Sequence, residues 1–229
     1  MTELQANGSE SIKNIWLKHG IKEPFFGVKI EYLKNIQKKV KTDYELAKGL
    51  YATGNADAMY LAGLITDDKK MTRDDLQTWV QQAVSHNISE YTVPWVAGGN
   101  PHGFELGLQW IESPEPHIEA AGWATLSGWV AIRPDAELDM QMLKNLLDRV
   151  VKKIHTAPNR VRYTMNNFVI CVWSYVVPLA ADAMEAAGKI GTVMVDMNGT
   201  ACKVPDAAEQ VRKLEARGGL GKKKKMLKC

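Results

Sequence analysis

The sequence predicts an all-α chain, and three observations carry that prediction. Apolar residues recur at spacings of three and four along nearly the whole length. Helix-capping and turn residues punctuate those runs at short intervals. Only one run reads as extended, Gly191 to Met197, and a solitary strand has nothing to pair with. About ten short amphipathic helices joined by brief connectors fit two architectures, a compact bundle or an α-solenoid of stacked helix pairs.

The first apolar face is Ile12, Ile15, Trp16 and His19. After the turn Pro24-Phe25-Phe26-Gly27 a second follows, with Val28, Leu33, Ile36 and Val40. Leu46, Leu50 and Tyr51 make a third, Met59 to Leu64 a fourth, and Leu76, Trp79, Val80 and Ala83 a fifth. Between them lie Thr42-Asp43, Thr53-Gly54-Asn55 and Met71-Thr72-Arg73-Asp74-Asp75. Thr72 and Asp75 have the spacing of a capping box, in which a hydroxyl and a carboxylate each bond the other's backbone N–H. Further helices are expected at 103–112, 115–132, 138–155, 159–187 and 205–217. Pro178 should break the long one, because it lacks an N–H and crowds the preceding turn. Gly98-Gly99-Asn100-Pro101-His102-Gly103 reads as a turn between helices.

The 229 residues suffice for one large domain with a proper core. The 45% hydrophobic and 24% charged content excludes a mainly disordered chain or a collagen-like repeat. The net charge of +3 permits a polyanionic partner without requiring one. Cys171, Cys202 and Cys229 show no metal spacing and fit free thiols in a reducing, cytoplasmic setting. The five histidines show no HxxxH pattern, so no metal site is expected. No phosphate-cradling glycine loop follows a strand, so no nucleotide cofactor is expected. Phe168 to Ala183 is too short and interrupted for a membrane span, and no membrane partner is expected.

The stretch from Pro24 to Ile65 resembles the DNA alkylation repair family, the AlkD-like, HEAT-like-repeat DNA glycosylases. Phe25, Phe26, Gly27, Leu33, Leu46, Ala47, Leu50, Tyr51 and Ala58 sit where that pattern expects them. The resemblance continues through Trp79 and loosely to Ala187. It implies an α-α superhelix, a HEAT-like-repeat solenoid over residues 1–217, with a concave basic face for duplex or structured DNA. Residues 218–229 lie outside the family's core pattern as a flexible basic tail. Family members excise cationic alkylated purines without drawing the base into a deep pocket. A carboxylate and flanking tryptophans lie against the lesion's backbone.

The resemblance also implies a departure. The active pattern is tryptophan-aspartate-x-x-aspartate, and its aspartate stabilises positive charge developing on the sugar. The matching stretch here runs from Ser89 to Trp95, with Glu90 at the tryptophan position and Pro94 at the essential aspartate. No aspartate lies between Asn87 and Asn100. The family's arginine should fall near Gly122-Trp123-Ala124-Thr125, where none occurs, and Arg133 is the nearest. No catalytic residue is therefore assigned. Glu90 is the one substitute carboxylate, and it stands about a helical turn from Pro94.

Candidate DNA contacts are Lys34, Lys38, Lys39 and Lys41 on one helix, and Lys152, Lys153, Arg160 and Arg162 around His155. In a groove they would bind phosphates, whereas on an outer face they would only be solvated. Tyr91, Trp95, Trp123 and Trp173 fall near the family's binding region, as core packing or as contacts to backbone and bases. Trp16, Trp79, Trp110 and Trp129 read as core. Lys222, Lys223, Lys224 and Lys225 follow a glycine hinge, as an arm for phosphates or a solubilising tail. Three functions stay open: a DNA-binding protein with excision lost or altered, a glycosylase using Glu90, or a protein-interaction scaffold.

Overall fold

The computed structural model describes residues 1–83 and 85–228. Among them are thirteen α-helices and no strand. The first six are α1 Thr2–Ala6, α2 Glu10–Lys18, α3 Ile30–Val40, α4 Tyr44–Tyr51, α5 Ala56–Ile65 and α6 Arg73–Gln82. A π-helical turn, Ile88–Thr92, leads into α7 Val93–Gly99, followed by α8 Gly103–Trp110 and α9 Pro116–Ile132. The last four are α10 Met140–Lys153, α11 Asn159–Tyr175, α12 Ala180–Ile190 and α13 Ala207–Ala216.

Local chemistry sets these boundaries. Asp43, Asn55, Asp139 and Asp206 each accept N–H groups of their own helix's first turn. The Thr72–Asp75 capping box forms as expected. Gly27 takes a left-handed turn at φ 76°, a conformation that disfavours any side chain. Pro178 ends α11, and α12 leaves at 117° to it after a short 3-10 turn. The expected helix at 159–187 is therefore two helices. Gly191 to Met197 is a connector rather than a strand, held by Asn159, which bonds both N–H and C=O of Asp196.

The helices stack in two rows, which settles the architecture as a solenoid rather than a bundle. α5, the π turn with α7, α9 and α11 pack successively against one another as the inner row. α4 backs α5, α6 packs on α7 and α9, α8 backs α9, and α10 and α12 back α11. Two continuous cores run along the stack, one from Leu4 to Ala121 and one from Ile111 to Val211. Every residue of α5 is buried, as are most of α9 and α11, because inner helices have neighbours on several sides. Among the described residues no single helix is long and apolar enough to cross a membrane. None forms a cluster of three metal-ligating side chains. Cys171 and Cys202 are free, and Cys229 lies outside the described residues.

Candidate nucleic-acid interface

Two adjoining cavities open along the inner row. The smaller, about 270 Å³, is bounded by Glu90, Pro94, Ala124, Tyr163, Asn167 and Lys224, among others. The larger, about 790 Å³, lies by the ends of α3 and α5 and includes Lys38, Lys41, Asp68, Lys69 and Lys225. Trp95 and Leu227 line both and stand between them.

Pro94 explains the local backbone. It lacks the N–H that would bond the Glu90 carbonyl, and its ring would crowd that carbonyl in a regular helix. The helix widens just before it, and the Val93 N–H reaches back five residues to the Ile88 carbonyl. The widened turn buries Glu90 and leaves Tyr91 exposed. Glu90 faces Arg160 of α11. The guanidinium donates Nε to Oε1 at 2.7 Å and Nη2 to Oε2 at 2.5 Å, a bidentate pair. Burial pushes the Glu90 carboxyl upward and Arg160 opposes that shift. The Tyr163 ring stacks on the Arg160 guanidinium at 4.5 Å, and its hydroxyl lies 3.5 Å from that of Tyr91. Tyr91 and Tyr60 each meet Trp95 edge-on. Charge and aromatics thus form one network from α5 through the π turn to α11.

The predicted contacts divide. Lys38 and Lys41 reach the larger cavity, and Lys34 lies one turn before Lys38 on the same helix face. Lys39 is turned about 100° from Lys38. Tyr91 and Trp95 line the smaller cavity. Trp123 and Trp173 do not reach it: they are 0% and 3% exposed, in the core. Trp123 meets Phe168 edge-on and carries Arg149 of the outer helix α10 over its ring. Lys152 and Lys153 also belong to α10, beside Asp148 and Arg149 in a separate outer depression. Arg162 donates to the carbonyls of Ala157 and Met194, so it fastens the connector after α12 rather than facing the groove. Arg160 borders the site but is held by Glu90. Of the expected core tryptophans, Trp79 and Trp110 are buried and Trp16 and Trp129 are partly so.

The tail, expected as a flexible arm, is laid across the inner row. The Gly221 N–H bonds the Ser174 carbonyl and the Lys224 N–H bonds that of Ala131. Lys223 pairs with Asp135, and Lys228 with Asp68. Lys222, Lys224 and Lys225 are exposed, without an acidic partner among the described residues. Sequence reasoning missed Tyr163 as a site residue, although its i, i+3 spacing from Arg160 was a usable signal. It also missed Lys69, Leu227 and Lys228, for which no local signal existed.

The profile of the family described as "DNA alkylation repair enzyme" matches residues 1–170. The chain belongs to this family. Two similar proteins are uncharacterised proteins of Listeria monocytogenes and Listeria innocua, 32% and 31% identical over 222 residues. Each alignment covers 94% of this chain and 96% of the relative. A solved structure superposes with a TM-score of 0.91 at 36% identity, covering 100% of this chain and 97% of that one. It is described as belonging to a new family of proteins related to the HEAT-like repeat DNA glycosylases with affinity for branched DNA structures. The all-α, HEAT-like-repeat architecture of the alkylation-repair proteins is thus that of this chain.

Proposed function

We propose that this alkylation-repair family member binds branched or otherwise structured DNA along its inner row and does not excise bases by the family's carboxylate route. One observation carries the reading. Among the described residues, the only acidic side chain lining the smaller cavity is Glu90, and both its oxygens are bonded to Arg160. Its side chain is 1% exposed. Such a carboxylate has no free face toward a sugar, and Pro94 beside it carries no charge. Displacements of about an ångström already cost orders of magnitude in rate, which weighs against Glu90 as a substitute catalyst.

Lys38, Lys41, Lys69 and Lys225 around the larger cavity support the DNA side of the reading, as does the described affinity of the solved relative. Lysines that neutralise phosphates release counterions, so affinity should fall steeply with salt. Half-exposed Trp95 and exposed Tyr91 suit unstacked bases at a junction, where a regular duplex exposes none. Such a partner places the protein in a DNA-containing compartment.

The test is paired. Binding to a four-way junction and to a linear duplex of the same length is measured between 50 and 200 mM salt, alongside base release from a duplex carrying 7-methylguanine. The expected result is tighter junction binding that weakens steeply with salt, with release at the spontaneous rate. A flat salt response, or no binding at low salt, would point to a protein-interaction scaffold. Release above background that disappears in Glu90→Gln would restore the enzyme.

A further inference from the structure

The last residues of the chain carry an unusual division of labour. From Gly221 to Lys228 the tail crosses the C-terminal ends of α11, α9, α7 and α5, in reverse chain order. Its lysines meet groups that attract cations there. Lys223 Nζ takes the Val130 carbonyl at 3.0 Å and Asp135 at 2.8 Å, at the end of α9. Lys228 Nζ takes the Thr66 carbonyl at 2.6 Å and Asp68 at 2.7 Å, at the end of α5. Helix C-termini carry partial negative charge, so both ammonium groups satisfy a dipole and a carboxylate at once. Between them Leu227 sits against Gly98 and Gly128. A Cβ at either glycine would fall 2.6 or 2.9 Å from the leucine methyl, so the seat exists because both positions lack a side chain.

Three anchors therefore hold a segment that carries three exposed ammonium groups, Lys222, Lys224 and Lys225. The five lysines of the tail exceed the +3 net charge of the whole chain, so the remainder is net negative. We propose that the docked tail is a fixed phosphate-binding platform. Lys223, Leu227 and Lys228 clamp it to the inner row so that Lys222, Lys224 and Lys225 meet the nucleic-acid backbone already ordered. Ordered cations bind without the entropy cost that a mobile arm meets on landing. The clamp also seats Leu227 in the lining of the cavity beside Pro94. The proposal rests on the DNA-binding reading above and specifies which charges do the binding.

Two variants of the full chain test it. Leu227→Asp keeps every lysine and removes the apolar anchor. The triple Lys222→Gln, Lys224→Gln, Lys225→Gln keeps the anchors and removes the free charges. Trypsin cleavage within the tail, read by mass spectrometry, should accelerate in Leu227→Asp. Junction affinity near 150 mM salt should fall about tenfold in both variants. In the triple variant the log–log salt slope should drop by roughly two to three, at about 0.9 per phosphate contact. Tighter binding by Leu227→Asp would mean that the tail covers the site, and unchanged binding by either variant would mean that it is a bystander. Either result overturns the platform. If the wild-type chain fails to bind DNA at low salt, it is the broader functional reading that falls, and the trypsin comparison still reports whether the tail is docked.

Discussion

Replacing Arg160 by methionine should destabilise the protein by about 3 kcal/mol or more at neutral pH. The two partners are unequally buried: the Glu90 side chain is 1% exposed and that of Arg160 is 23% exposed. Removing the arginine leaves a carboxylate with no access to water, which is the costly half of such a pair. In a chain of this size that loss lowers Tm by about 6–12 °C. Burial already pushes the Glu90 carboxyl upward, and without Arg160 it rises further. The folded variant then holds a proton that the unfolded chain has released above its ordinary range. Its stability therefore falls as pH rises from about 4.3, and the deficit against wild type is larger at pH 7.5 than at pH 5. Urea unfolding at both pH values measures it. The double variant Glu90→Met, Arg160→Met should recover most of the loss, since an apolar pair leaves nothing unpaired. A deficit under about 1 kcal/mol, or one independent of pH, would refute the account of Glu90 as a carboxylate held charged by Arg160.

Three further outcomes follow from the same geometry. Asp57, 0% exposed, accepts the N–H groups of Phe26, Gly27 and Val28, so Asp57→Asn should cost about 2–3 kcal/mol by urea unfolding. Burial first, then Arg160 and His19, pushes the His86 imidazole down to about 4. The unfolded chain then binds the proton that the folded one refuses, so stability is lost as pH falls from about 6.5 toward that value, and His86→Gln should flatten this limb of a thermal pH profile. Trp95→Ala should weaken junction binding about tenfold, whereas Trp123→Phe should leave it within about twofold, because only Trp95 can offer a face to a base.

The sequence carried the helices well where a boundary has a local cause. Thr72 with Asp75 and Pro178 act within one turn of themselves, and the structure places a capping box and a break there. It carried the two rows poorly. α9 and α11 are apolar on several sides, so spacing could not say that Trp123 looks toward α10 and Tyr163 toward the groove. Asp57 escaped notice although a lone acid in the apolar run Ala56–Ile65 is a signal for buried N–H partners. The tail was least legible. A lysine run reads as solvated when its anchors, Asp68 and Asp135, lie far away in sequence, and only folding brings them to Lys228 and Lys223.

Those distant pairs bear on how, in the proposed function, a chain with so modest a net charge would hold a polyanion. Asp68, Glu90 and Asp135 all border the inner row, where three free carboxylates would repel phosphates. Each is instead matched by a cation, Lys228, Arg160 and Lys223. Pairing leaves Lys38, Lys41, Lys69 and Lys225 against Asp67 at the larger cavity, and Lys224 at the smaller, to set the local field. A surface need not be strongly basic overall to attract DNA, provided that its acids are neutralised where the backbone would run. In the proposed function the same pairing also keeps both Glu90 oxygens occupied. One arrangement therefore accounts for both halves of the proposed function, a groove that can hold nucleic acid and a floor without a carboxylate free for base excision.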